Sequence, residues 1–313
     1  MKKSLILIRI VLLHILFFDC THIAAAQSVQ IQICSDKESI GKICARKIAN
    51  CIVANNAQKK PTALGLATGS TPIPTYNEFK EIVPKENIDL SHVTTFNLDE
   101  YVGLPPNHKQ SYHHFMWTHL FNALVQPQNI YIPNGYAKDE EDLAISEIFG
   151  LDKAFPKRFI ESSSSKLNDE EERWVLEHRA ESYEELIKKH GPIDMQILGI
   201  GTNGHIGFAE PGSPFDGKTM ITKLTEQTRA DNARFFDGKV EDVPSHAITM
   251  GIGTILRAKQ IMLLATGKNK AAIMAKILEG EFSPTIPAMA LRSHPNVFYC
   301  LDEEAASELK NNH

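Results

Sequence analysis

The sequence predicts an α/β protein in which a Rossmann-like, mostly parallel sheet carries helices on both faces in a single domain. The first observation is size and composition. The chain has 313 residues, 42% hydrophobic and 23% charged, which is enough for a large buried core. The second is a repeated alternation of short apolar strands with amphipathic helices, typical of a parallel sheet wrapped by helices. The third is that unusual polar residues follow several strands, at the sheet edge that usually binds ligands.

The first elements after the N-terminus show this alternation. "VQIQIC", residues 29–34, alternates apolar and polar side chains as a strand does, and a helix predicted over residues 36–56 follows it. The buried strand "TALGLAT" then leads to a second helix, with Thr71 as its predicted N-cap and Pro72 as its first residue. The apolar stripe of the first helix consists of Ile40, Ile43, Cys44, Ile48, Cys51 and Ile52.

Later stretches repeat the pattern of strand, polar loop and helix. They are "HVTTFNLDEY", "DMQILGIGTNGH", "QIMLLATGKNKAAIMAKILEG" and "NVFYCLDEEAASELK". The repetition of such units implies a parallel sheet, in which ligands bind beyond the carboxyl ends of the strands.

A charged segment at about residues 138–190 interrupts this pattern, and we interpret it as an insertion in an α/β domain of residues 28–313. It contains the serine run of "ESSSSK", which predicts an exposed loop. A helix is predicted from a cap at Asn168 to about Lys189. Its expected inward-facing residues are Trp174, Tyr183, Leu186 and Ile187.

Residues 1–27 form an apolar N-terminal extension or a signal peptide. Two lysines, an apolar run and the small residues at 24–26 are typical of a cleavable signal, and an uncleaved extension is the alternative. Arg9 and His14 interrupt the apolar run. Because the uninterrupted pieces are much shorter than the roughly 20 residues of a spanning helix, no stable membrane anchor is predicted.

Charge and cysteine content exclude several classes of partner. The net charge is -5 with both signs spread along the chain, so there is no basic stripe for a nucleic acid. Five cysteines show no C-x-x-C pair and no Cys/His spacing typical of a zinc site, which predicts reduced thiols and no metal.

The stretch "ATGSTP", residues 67–72, is a glycine turn between a strand and a helix. Its backbone N–H groups and two hydroxyls could converge on an anion, helped by the positive end of the helix dipole. It is neither a Walker loop nor a G-x-G-x-x-G motif, which disfavours a dinucleotide. A plain helix cap that uses glycine for its turn is the alternative.

Two further stretches carry possible acid/base groups. In "NLDEYVGL", Asp99 and Glu100 follow an apolar strand, where partial desolvation would raise the pKa of a carboxyl and suit it to removing a proton from carbon. The alternative is an aspartate that caps the next turn. In "GIGTNGHIGFAEPG", glycines flank His205, and Asn203 and Glu210 are close enough in sequence to orient its imidazole. A structural histidine in a glycine loop is the alternative.

Taken together, the motifs resemble the glucosamine-6-phosphate deaminases, also called isomerases, within the wider group that includes the 6-phosphogluconolactonases. The resemblance covers about residues 29–304. It is carried, in family order, by "LGLATGSTPIPTY", "TTFNLDEYVGL", "LGIGTNGHIGFAEPG", "TRADNARFF", "AITMGIGTIL" and "ATGKNKA". The lactonases continue differently after their own glycine-histidine pair, toward a Ser-Leu-Phe-Pro pattern that is absent here.

The resemblance implies roles for individual residues. Asp99 matches the base that moves a proton between C2 and C1 of the opened sugar. His205 matches the ring-opening acid/base, and Glu210 matches the carboxylate that assists it. Asn203 stands where many members carry Asp, so it offers hydrogen bonds but no charge and leaves the pKa of His205 to Glu210. The residues that match the phosphate site are Gly69, Ser70, Thr71, Arg234 and Lys270.

The implied reaction converts glucosamine 6-phosphate to fructose 6-phosphate and ammonia, with no metal or organic cofactor. The expected partner is a small sugar phosphate, and a homo-oligomer is left open. The alternatives are a 6-phosphogluconolactonase and a non-catalytic sugar-phosphate sensor. The sensor needs a DNA-binding domain ahead of Val29, for which 28 mostly apolar residues are too few. Because hexosamine phosphates are intracellular, the expected location is the cytoplasm, with export if residues 1–26 are cleaved.

Overall fold

A computed structural model describes residues 30–121, 124, 129–136 and 169–310 of the chain. The apolar segment 1–27, the "ESSSSK" loop and the Asn168 cap therefore lie outside the described residues, and the predicted domain limits stay predictions. The predicted helix that follows Asn168 is confirmed as α4 (Asp169–His190), numbered in chain order below. Tyr183 and Ile187 on this helix are buried.

The predicted parallel sheet is confirmed. Within the described residues, seven strands pair in parallel, and every residue of the three strands at 62–66, 93–97 and 261–265 is buried, so both sheet faces are covered. The spatial order is β1 (Gln30–Cys34), β10 (Val297–Asp302), β9 (Ile261–Ala265), β6 (Met195–Leu198), β2 (Thr62–Leu66), β3 (Val93–Asn97) and β5 (Ile130–Tyr131).

A second, three-stranded antiparallel sheet was not predicted. It consists of β4 (Asp99–Tyr101), β8 (His246–Thr249) and β7 (Met220–Lys223), in that order. The stretch "HVTTFNLDEY" is therefore two strands in two sheets and not one strand. The division falls at Leu98, whose N–H donates to Leu66 O at 2.9 Å and whose carbonyl accepts from Met250 N at 2.7 Å. These two bonds direct the chain from the parallel sheet into the antiparallel one.

The helices lie between these strands. The described residues form α1 (Lys37–Ala57), α2 (Ile73–Lys85), α3 (Tyr112–Met116), α4, α5 (Glu226–Asn232), α6 (Ile252–Ile255) and α7 (Ala271–Glu279). The Asp36 side chain caps α1 by accepting from Ser39 N at 2.7 Å. Of the predicted α1 stripe, Ile43 and Cys51 are only half-buried and the other members are buried. The periodicity therefore identified the inward face of this helix correctly.

Three local predictions were wrong. Helix α2 begins at Ile73, because Pro72 occupies the cap position and its carbonyl accepts the first helical bond, from Tyr76 N; Thr71 is not the cap. No helix directly follows β6, because the chain passes through glycine turns toward β7. After β10 the expected helix is replaced by turns over residues 303–308, where the Asp302 carboxylate accepts from Ala305 N.

Cysteines 34, 44, 51 and 300 lie in the described part of the chain as free thiols, as predicted. None of the helices in that part combines the length and apolar character that crossing a membrane requires.

Gly65 permits the close contact between β2 and β6. It pairs with Gln196 in the sheet, and a Cβ added to Gly65 would lie 2.0 Å from Gln196 Oε1. We expect Gly65→Ala to lower the free energy of unfolding by about 1–3 kcal/mol, because the core is overpacked there. The double variant Gly65→Ala/Gln196→Ala is expected to be more stable than the sum of the single losses predicts, since the added methyl group then has space. Denaturant unfolding of all three variants measures this coupling, and strictly additive losses would contradict it.

Candidate active site

A cavity of about 230 Å³ opens at the carboxyl ends of the parallel strands. Its wall is built by the turns that follow four of them: residues 67–71 after β2, Leu98 and Asp99 after β3, residues 199–201 after β6, and Thr266 to Lys270 after β9. The convergence of strand ends that the sequence predicted is therefore present. Seven of the predicted site residues line the cavity, namely Gly69, Ser70, Thr71, Asp99, His205, Arg234 and Lys270.

Asp99 is a buried acid in the cavity wall. Only 5% of its surface is exposed, and it lies at the start of β4, immediately after the Leu98 crossover. Burial raises the pKa of Asp99 well above its ordinary value, and the adjacent Glu100 carboxylate raises it further. Gly207 approaches this carboxyl closely, since a Cβ added to it would lie 3.5 Å from Asp99 Oδ2. Gly207 has a φ of +57°, which few other residues adopt at low cost.

Glu100, and not the aspartate considered as a cap, accepts hydrogen bonds from the first N–H groups of α3, whose N-cap is Ser111. Its Oε1 accepts from the N–H groups of Tyr101 and Tyr112, at 2.8 and 2.9 Å, and its Oε2 accepts from His113 N at 2.9 Å. Burial raises the pKa of Glu100 to about 7, although these three donors lower it. Glu100 thereby fixes the start of α3, and with it the side of the cavity that carries Tyr112 and Phe115.

The His205 ring lies flat on the backbone of Gly201. A Cβ added to Gly201 would lie 2.2 Å from the Cε1 atom of the imidazole, so only glycine leaves room for the ring. The Nδ1 atom faces Thr228 Oγ1 at 3.4 Å and Glu210 Oε2 at 3.7 Å. In the part of the chain that the structure describes, Nε2 has no hydrogen-bond partner, so it is the ring nitrogen available to a molecule in the cavity.

Asn203 and Glu210 do not line the cavity but lie behind His205. Asn203 Oδ1 accepts from His205 N at 3.1 Å, and Asn203 Nδ2 donates to Glu210 Oε2 at 2.9 Å. Thr225 donates to Glu210 Oε1 from both its N–H and its hydroxyl, each at 3.3 Å. Burial lowers the pKa of His205, the Glu210 carboxylate opposes that shift, and Lys270 adds to it. Of the nearby charges, Glu210 thus does most to favour the imidazolium form of His205, but burial has the larger effect on the pKa.

The other end of the cavity is cationic. Gly69, with a φ of +88°, turns the chain so that Ser70 and Thr71 lie at the start of α2. Lys270 and Arg234 also line the cavity, and neither forms an ion pair with a carboxylate in residues 30–121, 124, 129–136 or 169–310. The Arg234 guanidinium stacks on the Phe235 ring at 4.7 Å. Two cations in a cavity that also holds a helix N-terminus suit an anion.

Several lining residues were missed by sequence reasoning. Thr228 and Asp231 precede Arg234 at three-residue intervals along α5 and the turn after it, a helical spacing that could have identified them. Lys109 and Tyr112 come from the loop after β4 and from α3, and no pattern in the sequence connected them to the site. The described residues hold no group of three or more His, Cys, Asp or Glu side chains that could bind a metal ion.

Fold and cavity together define a class of protein: a doubly wound α/β protein whose ligand cavity joins a buried acid and an imidazole to a cationic end. Comparison with known proteins identifies the family. The sequence model described as glucosamine-6-phosphate isomerases/6-phosphogluconolactonase matches residues 35–299, and the chain belongs to this family.

Curated relatives and solved structures agree with this assignment. The chain is 43% identical over 263 residues to the glucosamine-6-phosphate deaminase of Thermoanaerobacter pseudethanolicus, covering 84% of this chain and 89% of that protein. It is 45% identical over 249 residues to the Bacillus cereus deaminase, covering 80% and 79% of the two chains. The structure of a monomeric glucosamine-6-phosphate deaminase is similar at a TM-score of 0.74 and 37% identity, covering 90% of this chain and 100% of that one. The Trypanosoma brucei 6-phosphogluconolactonase, at 19% identity and a TM-score of 0.66, covers 91% of this chain and 100% of that one and shares the fold.

The contact between Gly201 and His205 gives a test of the site geometry. We expect Gly201→Ala to displace the imidazole from Glu210 and to change its pKa, because the new methyl group would overlap the ring. Gly199→Ala is the matched control, since its Cβ would meet nothing within 4 Å. NMR titration of the His205 ring resonances in both variants measures the effect. An unchanged titration in Gly201→Ala would show that the ring is not held against this glycine.

Proposed function

We propose that the protein catalyses the isomerising deamination of glucosamine 6-phosphate, which gives fructose 6-phosphate and ammonia. The observation that carries the proposal is the composition of one cavity. It holds a buried carboxyl with a raised pKa, Asp99, together with the His205 imidazole and the cations Arg234 and Lys270. A carbon base, a ring-opening group and a phosphate site are the parts that this reaction needs.

The cationic end suits the phosphate. We assign the substrate phosphate to the backbone N–H groups and hydroxyls of Gly69, Ser70 and Thr71, with Arg234 and Lys270 closing over it. A guanidinium offers paired donors and an ammonium offers a compact charge, so the two hold a dianion from different directions. Binding energy from this remote group then positions the reacting carbons against Asp99.

Ring opening is assigned to His205. Nε2 accepts the proton of the anomeric hydroxyl and delivers it to the ring oxygen, which breaks the C1–O5 bond and exposes an aldehyde. The lowered pKa of His205 keeps the imidazole mostly neutral near pH 7, so Nε2 is free to accept this proton while Nδ1 faces Glu210. Glu210 and Asn203 act as positioning residues, since they hold Nδ1 and the His205 backbone without touching the cavity.

Asp99 carries the isomerisation. The C1 aldehyde acidifies the C2 proton, and the Asp99 carboxylate removes it while O1 takes up a proton from solvent, which gives an enolamine. The resulting carboxylic acid then delivers the C2 proton to C1. The product is an imine at C2. Water adds to this carbon, the C–N bond breaks, and ammonia leaves with the ketone of fructose 6-phosphate. Raising the pKa of Asp99 strengthens it as a base, which suits a weakly acidic C–H bond.

A 6-phosphogluconolactonase is the alternative within the same family. It would share the phosphate end but would hydrolyse an ester, for which a carbon base is not needed. The relatives at 43% and 45% identity are named as deaminases, whereas the similar lactonase structure is 19% identical. These values support the deaminase. We also propose a cytoplasmic location, because the substrate is an intracellular metabolite.

Replacing Asp99 tests the assignment directly. We expect the wild type to release ammonia from glucosamine 6-phosphate, and Asp99→Asn to lower kcat by at least about a hundredfold, because the amide cannot accept the C2 proton. Asp242→Asn, which changes an exposed aspartate, is the matched control and is expected to keep full activity. Hydrolysis of 6-phosphogluconolactone is measured in parallel. Lactonase activity without ammonia release, or full activity in Asp99→Asn, would refute the proposal.

The raised pKa of Asp99 has two consequences for pH dependence. Because the base is the ionised form, kcat/KM is expected to fall as pH falls through the raised pKa, so the acid limb lies above the ordinary value of 3.8. Folding also favours the protonated acid, so its stability contribution is present at low pH and is lost as pH rises through the folded-state pKa. Asp99→Asn is therefore expected to raise Tm at neutral pH and to leave it almost unchanged near pH 4. A Tm difference that does not grow with pH would contradict this.

A further inference from the structure

Thr249 lies directly opposite Asp99 in the second sheet. The two residues pair in register between β4 and β8, and both are buried. In an antiparallel ladder, residues that face each other carry their side chains on the same side of the sheet, with Cβ atoms about 4.5–5.5 Å apart. The Thr249 side chain therefore lies beside the carboxyl that the proposed reaction uses as its carbon base.

The loop that carries the imidazole reaches the same place. Phe208 N donates to Thr249 Oγ1 at 3.0 Å, and the Thr249 hydroxyl donates in turn to Met250 O at 3.3 Å. Thr249 and Phe208 are both buried, so solvent is not an alternative partner for this N–H group. Gly207 lies beside both facing side chains, since a Cβ added to it would lie 2.9 Å from Thr249 Oγ1 and 3.5 Å from Asp99 Oδ2.

The loop is held on both sides of Gly207. His205 O accepts from Gly201 N at 3.0 Å, which holds the loop to the turn after β6, and the Phe208 bond holds it to the second sheet. Between these two points the chain turns at Gly207, which adopts a φ of +57°. The distance between the imidazole and the Asp99 carboxyl therefore depends on where the second bond holds the loop.

We propose that Thr249 is a positioning residue whose hydroxyl holds the His205 loop against Asp99 and so sets the spacing between the two reacting groups. This inference rests on the proposed function, which takes Asp99 as the carbon base and His205 as the ring-opening group. The sugar presents its ring oxygen to one group and its C2 proton to the other while its phosphate stays bound, so their spacing decides how often both are aligned. A loosened loop also admits water to the protonated Asp99, which then exchanges the C2 proton before it reaches C1.

The test replaces Thr249 by valine, which removes the hydroxyl and keeps the β-branched shape. We expect Thr249→Val to lower kcat for ammonia release by about ten- to a hundredfold, because a small misplacement of a reacting group is enough for such a loss. KM is expected to stay nearly unchanged, because the phosphate end is not altered. The reaction is also run in deuterium oxide. At low conversion, NMR of the product is expected to show more deuterium at C1 with Thr249→Val than with the wild type.

Further variants separate this role from a general loss of packing. Thr249→Ser restores the hydroxyl and is expected to recover most of kcat and the wild-type labelling at C1. Thr95→Val makes the same substitution in β3, where Thr95 Oγ1 has no hydrogen-bond partner among the described residues, and is expected to keep full activity. Gly65→Ala, which is expected to lose stability within β2, is expected to keep the wild-type labelling. If Thr249→Val does not fold, Thr249→Cys takes its place with a smaller effect of the same sign, since a thiol is a weaker acceptor.

The outcomes distinguish this inference from the proposed reaction. Unchanged kcat and labelling in Thr249→Val, or an equal change in Gly65→Ala, overturns the inference and leaves the deaminase standing. A loss of kcat that Thr249→Ser does not restore also overturns it. A wild type that releases no ammonia refutes the proposed reaction, and hydrogen exchange of the Phe208 N–H then tests the contact by itself. Exchange that is slow in the wild type and in Thr249→Ser but fast in Thr249→Val supports the hold on the loop, whereas equal exchange in all three overturns it.

Discussion

The two backbone hydrogen bonds of Leu98 determine where the cavity can form. Its N–H bonds to β2 and its carbonyl bonds to Met250, so the chain leaves the parallel sheet and enters the antiparallel one within a single residue. Asp99 is the next residue and therefore lies at the junction of the two sheets, where it is buried yet faces the cavity. Continuation of β3 in the parallel sheet would carry Asp99 past this junction. The second sheet also brings Thr249 close to Gly207, which ties the His205 loop to the same place.

Burial dominates the electrostatics of this place. It raises the pKa of Asp99 and lowers the pKa values of His205 and Lys270, so each of these groups is shifted toward its neutral form. Some nearby charges oppose the effect of burial. Glu210 raises the pKa of His205, and Asp231 raises the pKa of Lys270. The cavity thus combines groups of tuned basicity with an anion site, and the distances between them are set by the ends of β2, β3, β6 and β9.

Elements with a strong period were predictable. The apolar stripe of α1 follows from the helical period of its side chains. The strands β2 and β9 follow from continuous apolar runs, because each is buried on both faces. The antiparallel sheet was missed because β4, β7 and β8 have only three or four residues each, too few for a period to show. The start of α2 was placed one residue early, because Pro72 tolerates either position and the choice depends on which carbonyl accepts the first bond.

The sequence by itself determined the α/β class, the order of most strands and helices, and the residues of six motifs that resemble one family. Those properties depend on periodicity, turn chemistry and local spacing, all of which act over a few residues. Only the tertiary structure decided that Glu100 accepts hydrogen bonds from the start of α3 while Asp99 faces the cavity, and that Glu210 and Asn203 support His205 from behind. It also decided that Asp231 lines the same cavity as the imidazole and the cations. Each of these depends on contacts between segments far apart in the chain, and burial and electric fields act through space with no trace in local sequence.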